Sequence, residues 1–241
     1  MADPRLERHN REQRRYFEEH EKRRMRPAAT PYLQRHVNAL ARYAALRRGE
    51  RVLEVGCGMG RYTFLLADRG LLVEGLDLSP VLLDRLRTFA GARYDIPLHA
   101  ADVVDAPSAL EGRFDAVVGL FTLHHLHDLP RCFQAMARLV HPGGRVAFLE
   151  PNPLNPLYYA QIAITPGMTW SGDGGIVHMR AGIVAAAMRA SGLQPWRTIR
   201  FGFLPPFGAN ARGGRCVEQA LERVRPLGPF LPFQLFGARR P

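Results

Sequence analysis

The chain has 241 residues, of which 46% are hydrophobic, and a formal net charge of +11 at pH 7. This composition excludes wholesale disorder and suits one globular domain with a sizeable core. No apolar run reaches the roughly 18 residues of a transmembrane helix, and the charged N-terminus lacks the apolar core of a signal peptide. We therefore expect a cytoplasmic protein. The three cysteines form no CxxC pair, and we expect them to be reduced thiols.

Two helices are predicted before the first strand. Residues 4–25 form a charged pattern with few apolar positions, which is typical of a weakly packed helix. Residues 31–46 carry apolar residues at helical spacing. We therefore expect residues 1–48 to form a helical lid over a main domain of residues 49–241.

From Arg51 onward, short apolar strands alternate with helices. The predicted strands are 52–55, 71–76, 96–101, 114–120 and 145–150. Ser79-Pro80 has the residue types of a helix N-cap and first turn. The alternation predicts an α/β fold with a doubly wound, mostly parallel sheet.

Residues 151–178 interrupt this alternation with a segment rich in proline, glycine and aromatic residues. An insertion after the carboxyl end of a strand lies where open α/β sheets bind ligands. We expect it to form a substrate cap. A helix over about 179–191 follows, and then strand-like segments near 196–204 and 230–238.

The sharpest motif is the glycine-rich turn Gly56-Cys57-Gly58-Met59-Gly60, which follows a strand and precedes a helix. Its spacing is G-x-G-x-G, whereas a dinucleotide fingerprint would need a glycine in place of Arg61. A phosphate-binding loop of the GxxxxGK[ST] type is absent from the sequence. Glycines in such a turn let a ligand approach the backbone, so a side chain added at Gly56 or Gly58 is expected to occupy ligand space.

Acidic residues end the next two strands. Asp77 lies about 20 residues beyond the glycine turn, where an acid accepts hydrogen bonds from a ribose diol. Asp102 ends the third strand and could hold an adenine amino group. Three signals at successive strand ends predict a nucleoside-binding site.

These motifs resemble the class I, S-adenosylmethionine-dependent methyltransferases over about residues 32–150. The segments Phe114-Asp115-Ala116-Val117-Val118 and His141-Pro142-Gly143-Gly144-Arg145 share in the resemblance. The run Leu123-His124-His125-Leu126-His127-Asp128 is similar to the branch that includes ubiquinone/menaquinone-biosynthesis methyltransferases, which act on small molecules and lipids. The resemblance implies a Rossmann-like seven-stranded sheet whose last strand, here about 230–238, is antiparallel.

The resemblance also implies S-adenosyl-L-methionine as the cofactor. The residues that we expect to contact it are Glu54, Gly56, Cys57, Gly58, Asp77, Leu78, Asp102, Val103 and Phe121.

Methyl transfer to a hydroxyl, an acidic carbon or a protonated amine also requires a base. His124 and His125 are the catalytic candidates, with His127 nearby, because imidazole titrates near neutral pH. The alternative is that these histidines only orient a loop. His125, His127 and Asp128 could bind a metal, but no distant ligand pair supports such a site, and we expect none.

The acceptor is expected to be a small or amphiphilic molecule. Tyr158, Tyr159 and His178 lie in the cap and are candidate substrate residues, with ordinary packing as the alternative. Apolar residues also lie among the arginines of 197–241, a combination that suits an anionic membrane surface.

Methylation of RNA or DNA is the main alternative, because the chain is strongly basic. The motifs nevertheless argue against a nucleic-acid partner. The place of the [N/D]-P-P-[Y/F/W] segment of base-nitrogen methyltransferases holds Gly119-Leu120-Phe121-Thr122, and Cys132 lies within a predicted helix. A cofactor-binding protein without catalysis is a further alternative.

Overall fold

The strands of the computed structural model, which describes residues 4–19, 25–165 and 168–241, build one sheet. They are β1 (Arg51–Val55), β2 (Leu72–Asp77), β3 (Leu98–Ala100), β4 (Phe114–Leu120), β5 (Val140–Pro151), β6 (Gln194–Pro195), β7 (Ile199–Phe201) and β8 (Phe233–Arg239). The sheet order is β3-β2-β1-β4-β5-β8-β6, with β7 also paired to β8.

The first five strands are parallel, and β8 is antiparallel to β5 from Arg145↔Arg239 to Pro151↔Phe233. The short strands β6 and β7 pair with different stretches of β8, so together they occupy one position of the sheet. The sheet therefore has the seven predicted positions and the predicted antiparallel last strand, but its edge position is divided between two strands. Its opposite edge is β3.

The helices cover both faces and the carboxyl ends of the strands. They are α1 (Pro4–Glu18), α2 (Pro31–Tyr43), α3 (Thr63–Ala67), α4 (Pro80–Ala90), α5 (Leu129–Leu139), α6 (Pro156–Ile164), α7 (Trp170–Asp173), α8 (Ala181–Ala190), α9 (Pro206–Ala209) and α10 (Gly214–Glu222). The N-cap predicted at Ser79 is confirmed, because its side chain accepts a hydrogen bond from the backbone N–H of Leu82.

Alternate residues of each central strand contribute to opposite cores. Leu53 and Phe148 belong to the cluster that contains residues of α5 and α8, whereas Val52 and Leu149 belong to the cluster that contains residues of α2. All four side chains are fully buried. This two-sided burial explains why the central strands are nearly continuous apolar runs.

Several predicted boundaries were wrong. The helix predicted to end at residue 46 ends at Tyr43, and the strand predicted to begin at 145 extends back to Val140. The intervening His141-Pro142-Gly143-Gly144 segment lies within β5, at an irregularity in its pairing with β4. The helices α9 and α10, which begin in proline- and glycine-containing segments, were not predicted.

Candidate functional site

The glycine turn between β1 and α3 has a backbone that favours glycine. Gly56, Gly58 and Gly60 have φ angles of +70°, +52° and +88°. A Cβ on Gly56 would lie 2.3 Å from Cγ2 of Thr122, so protein rather than ligand fills that space. A Cβ on Gly58 would have Cε of Met25 as its nearest neighbour, at 3.9 Å.

Asp77 ties the end of β2 to the glycine turn. Its Oδ2 accepts a hydrogen bond of 2.8 Å from the N–H of Gly58, and its Oδ1 accepts one of 2.9 Å from the N–H of Ser79. Burial raises the pKa of Asp77 above its usual value. The glycine turn and Asp77, the acid predicted to bind the ribose, are thus joined by a hydrogen bond.

Asp102, the second strand-end acid, caps a short 3-10 helix by accepting from the N–H of Val104 at 2.9 Å. Its other oxygen accepts a 2.6 Å hydrogen bond from the side chain of Asn10. The N-terminal helix α1 therefore reaches the predicted adenine end of the site.

A cavity of about 590 Å³ lies beside the carboxyl ends of β1, β2 and β4. It brings together all the residues predicted to bind the cofactor, the two candidate catalytic histidines and one candidate substrate residue. They are Glu54, Gly56, Cys57, Gly58, Asp77, Leu78, Asp102, Val103, Phe121, His124, His125 and Tyr158.

Two of these residues are buried next to the turn. Glu54 accepts a 2.6 Å hydrogen bond from the hydroxyl of Thr63, and burial raises the pKa of Glu54 to about 8. Burial also raises the pKa of the Cys57 thiol, whose sulfur packs against Gly75. A high thiol pKa disfavours the thiolate, so the Cys57 side chain acts in packing rather than as a nucleophile.

His124 and Glu150 form a buried pair at the end of β4 and β5. Nδ1 of His124 lies 2.5 Å from Oε2 of Glu150. The other oxygen of Glu150 accepts hydrogen bonds from the N–H groups of Thr122 and Leu123, at 2.8 and 2.7 Å. Three donors thus converge on one carboxylate, which holds the His124 ring in a defined orientation.

Asp173, at the end of α7, lies next to His124 and His125. One ligand-capable atom from each of His124, His125 and Asp173 lies within 4.8 Å of the other two. Asp173 also accepts hydrogen bonds from the hydroxyl of Tyr16 and, at 3.1 Å, from the N–H of Thr169. This cluster differs from the set of His125, His127 and Asp128 considered from the sequence.

Of the three candidate substrate residues, one lines the cavity and two do not. Tyr158 lines the cavity. The ring of Tyr159 stacks on Trp170, and its hydroxyl donates to the carbonyl of Pro153. His178 lines a neighbouring depression beside α5 and α8, which shares His124 and His127 with the cavity.

The far end of the cavity was missed by the sequence analysis. Tyr32 and His36 of α2 line it together with Arg61, Tyr62 and Phe233. The i,i+4 spacing of Tyr32 and His36 and the position of Arg61 directly after the turn were available signals. Their contact with Phe233, however, depends on the register of the antiparallel pairing of β8 with β5, which the sequence pattern does not reveal.

Helix α1 covers the cavity through polar contacts. Besides the Asn10–Asp102 hydrogen bond, His9 donates to the carbonyl of His125 at 2.7 Å, and Ser79 donates to Glu18 at 2.5 Å.

Among the residues that the structure describes, no helix is long and apolar enough to cross a membrane.

Residues 52–144 match the methyltransferase-domain family. Over 113 residues the chain is 38% identical to a ubiquinone biosynthesis O-methyltransferase of Alkalilimnicola ehrlichii, a match that covers 46% of this chain and 46% of that protein. The chain thus spans about half the length of the curated relatives that it matches.

Solved structures share the fold. An S-adenosylmethionine-dependent methyltransferase from Mesorhizobium loti matches with a TM-score of 0.58 and 24% identity, covering 84% of this chain and 96% of that one. Phosphoethanolamine N-methyltransferase 2 of Haemonchus contortus, solved with S-adenosylhomocysteine, matches with a TM-score of 0.59 and 16% identity, covering 86% and 52%. Residues 52–144, which span the glycine turn and the strands β1 to β4, are therefore similar to a methyltransferase domain, and they lie in a fold that methyltransferases of known structure share.

Proposed function

We propose that the chain transfers a methyl group from S-adenosylmethionine to a small-molecule or lipid-like acceptor. The observation that carries this proposal is that one cavity is lined by the nucleoside-binding pattern of Asp77 and Asp102 and by His124, whose ring Glu150 holds. A nucleoside cofactor and a proton acceptor are the two requirements of methyl transfer to a protonated nucleophile.

The residues of the turn fit this cofactor. Each carboxylate oxygen of Asp77 accepts one backbone hydrogen bond and keeps a lone pair for a ribose hydroxyl. Gly58 leaves open the space that a side chain would take. In this assignment Leu78 lies with Asp77 at the ribose, and Asp102 and Val103 hold the adenine.

The remaining cofactor residues would bind the amino-acid portion. Glu54 offers a buried carboxylate for an ammonium group, while Gly56, Cys57 and Phe121 line the passage from the ribose. When bound, S-adenosylmethionine supplies a methyl group on a sulfonium leaving group, so the protein's task is chiefly alignment and exclusion of water.

His124 would accept the proton that the acceptor loses. Because the carboxylate of Glu150 accepts a hydrogen bond from the Nδ1–H of His124, the hydrogen of the neutral ring is on Nδ1, and the other ring nitrogen, Nε2, carries a lone pair. His125 and Asp173 lie beside it and would position the acceptor. The relatives are named ubiquinone biosynthesis O-methyltransferases, so an aromatic hydroxyl is the first acceptor class to test.

The lid and cap would close the acceptor side. Residues 1–48 contribute α1, which contacts the cavity-lining residues Asp102 and Asp173 through Asn10 and Tyr16. The cap over 151–178 contributes Tyr158, and we keep Tyr159 and His178 only as residues that shape it.

An anionic membrane surface would suit an amphiphilic acceptor. Leu157 and Ile164 of α6 and Phe207 and Phe230 of the tail are exposed. Apolar side chains beside arginines bind anionic lipid, and salt weakens the electrostatic part. Sedimentation with anionic but not neutral vesicles tests this partner.

The function is tested by transfer of a labelled methyl group to phenolic compounds. His124→Gln is expected to lower kcat by 100-fold or more, on the scale of lost general-base catalysis, while His178→Gln serves as a matched control and stays active. Activity should survive EDTA; its loss would indicate that His124, His125 and Asp173 hold a metal ion instead. Transfer to RNA or DNA alone would overturn the acceptor class.

A further inference from the structure

We propose that Arg61 and His36 form a carboxylate-binding subsite in the part of the cavity that Tyr32, Tyr62 and Phe233 also line. This inference extends the proposed function, because the carboxylate would come either from the amino-acid tail of the cofactor or from the methyl acceptor. Its basis is a pair of buried nitrogen atoms that line a cavity without a protein partner.

Arg61 is a cation with no anion beside it. Among residues 4–19, 25–165 and 168–241, no carboxylate forms an ion pair with Arg61, and its Nε atom is buried without a hydrogen-bond partner. The guanidinium carbon lies 5.5 Å from the ring centroid of Tyr62, which gives it an aromatic contact but no hydrogen-bond acceptor. A buried Nε–H group without an acceptor is costly, and its position on a cation favours an anionic ligand there.

Glu54 does not serve as the missing anion. It lines the same cavity, but its carboxyl group takes its hydrogen bond from Thr63. Glu54 and Arg61 therefore remain available to opposite charges of a ligand. An amino acid carries both charges, an ammonium and a carboxylate, on adjacent atoms.

His36 supplies the second nitrogen. Its side chain is 1% exposed, its Nδ1 is hydrogen-bonded to the hydroxyl of Tyr62 at 3.0 Å, and its Nε2 has no partner within the described chain. His36 and Tyr32, which packs against it with a ring-centroid distance of 4.4 Å, both line the cavity. Nε2 as N–H would donate to one carboxylate oxygen while Arg61 donates to the other.

The surroundings make such a contact strong. The rings of Phe233 and Phe121 lie 4.6 and 5.3 Å from the ring of His36. Aromatic walls exclude water and lower the local dielectric, which strengthens a charge-assisted hydrogen bond. The planar guanidinium also matches the geometry of a carboxylate better than that of a single hydroxyl.

The test is calorimetry with two adenosyl ligands that differ at this position. S-adenosylhomocysteine carries the amino-acid carboxylate, and 5′-methylthioadenosine lacks it. If the cofactor supplies the carboxylate, Arg61→Gln should weaken S-adenosylhomocysteine roughly 10- to 100-fold and leave methylthioadenosine unchanged. His36→Phe should produce a selective loss of the same kind.

A second arm tests the acceptor as the source. The carboxylate belongs to the acceptor if Arg61→Gln leaves the affinity for both adenosyl ligands unchanged, and if 4-hydroxybenzoate binds the wild-type complex with S-adenosylhomocysteine but not the corresponding complex of the variant. Arg14→Gln, which removes another cavity-lining arginine, controls for general electrostatics and should cause neither selective loss. Arg61→Lys should retain part of the affinity, and circular dichroism checks that each variant is folded.

The outcomes separate the two proposals. If the Arg61→Gln variant binds all three ligands like wild type, or loses the two adenosyl ligands equally, the subsite is overturned. If wild type binds neither adenosyl ligand, the proposed function fails, and binding of 4-hydroxybenzoate to the free protein, compared between wild type and Arg61→Gln, then decides the subsite by itself.

Discussion

Glu150 holds Nδ1 of His124 at 2.5 Å, and its second oxygen is held by the backbone that leads into His124. Both side chains are buried. A carboxylate in this position fixes which ring nitrogen carries the hydrogen, so the pair can be tested through the tautomer of the histidine.

Glu150→Gln is expected to lower kcat by about 10²- to 10⁴-fold with little change in cofactor affinity. The amide can still accept from the backbone with its oxygen, but its NH₂ group would then face Nδ1 of His124 and favour the tautomer with hydrogen on Nε2. Single-turnover methyl transfer measures the rate, and ¹⁵N NMR of the imidazole reports the tautomer. A changed tautomer with an unchanged rate would remove His124 from the mechanism.

Gly58→Ala is expected to weaken S-adenosylhomocysteine by tenfold or more. Its φ of +52° makes any side chain strained, so a control with similar strain is needed. Gly112 has a φ of +68°, and a Cβ there would have open space around it. Gly112→Ala should lose a similar stability of about 1 kcal/mol and keep wild-type affinity in calorimetry. Equal affinities in the two variants would contradict the placement of the cofactor.

Gly56 is the less suitable position for that experiment. A side chain there meets Thr122 before it reaches any ligand. The expectation that a side chain at Gly56 would occupy ligand space is therefore wrong, because Thr122 occupies that space. We expect Gly56→Val to lower the melting temperature as well.

Glu54→Gln should stabilise the ligand-free protein at alkaline pH. Burial raises the pKa of Glu54 to about 8, so the folded state holds the proton more tightly than the unfolded state. The stability that this group contributes is present at low pH and is lost as pH rises through about 8. At pH 9 the variant should exceed wild type by up to about 5 kcal/mol in urea unfolding, and the difference should shrink towards pH 5. A constant difference across this range would contradict the assignment.

His36→Phe should reduce sensitivity to acid. Burial, aided by Arg61 and Arg35, lowers the pKa of His36 to about 3. Stability from the neutral ring is complete above pH 6.5 and falls as pH drops towards 3, by at most about 1.4 kcal/mol per pH unit. The tyrosines and arginines that face His36 do not titrate in this window. Urea unfolding of both proteins from pH 7 to pH 4 should show a steeper decline for wild type.

The part of the cavity that we assign to the cofactor was accessible to sequence reasoning because it is built from neighbouring strand ends. Gly58 and Asp77 each stand at the end of a strand, and parallel strands bring those ends together whatever the rest of the chain does. The prediction of the strand at 114–120 was confirmed for the same reason, since its apolar run requires burial on both faces.

The part that we assign to the methyl acceptor was less accessible because it is assembled from segments that are distant in the sequence. The hydrogen bond between Glu150 and His124 requires the register between β4 and β5. Asp173 meets Tyr16 across 157 positions of sequence. Periodicity cannot reveal such pairs, because it reports which face of an element is buried but not what covers it.

The divided edge of the sheet bears on how the protein behaves at high concentration. β3 and β7 have three residues each and β6 has two, so neither edge offers a long row of unpaired backbone groups. β6 also ends in Pro195, which has no N–H to donate. A neighbouring molecule that presents a strand would find few partners along either edge. The fold therefore resists edge-to-edge aggregation without needing a further element to cover its sheet.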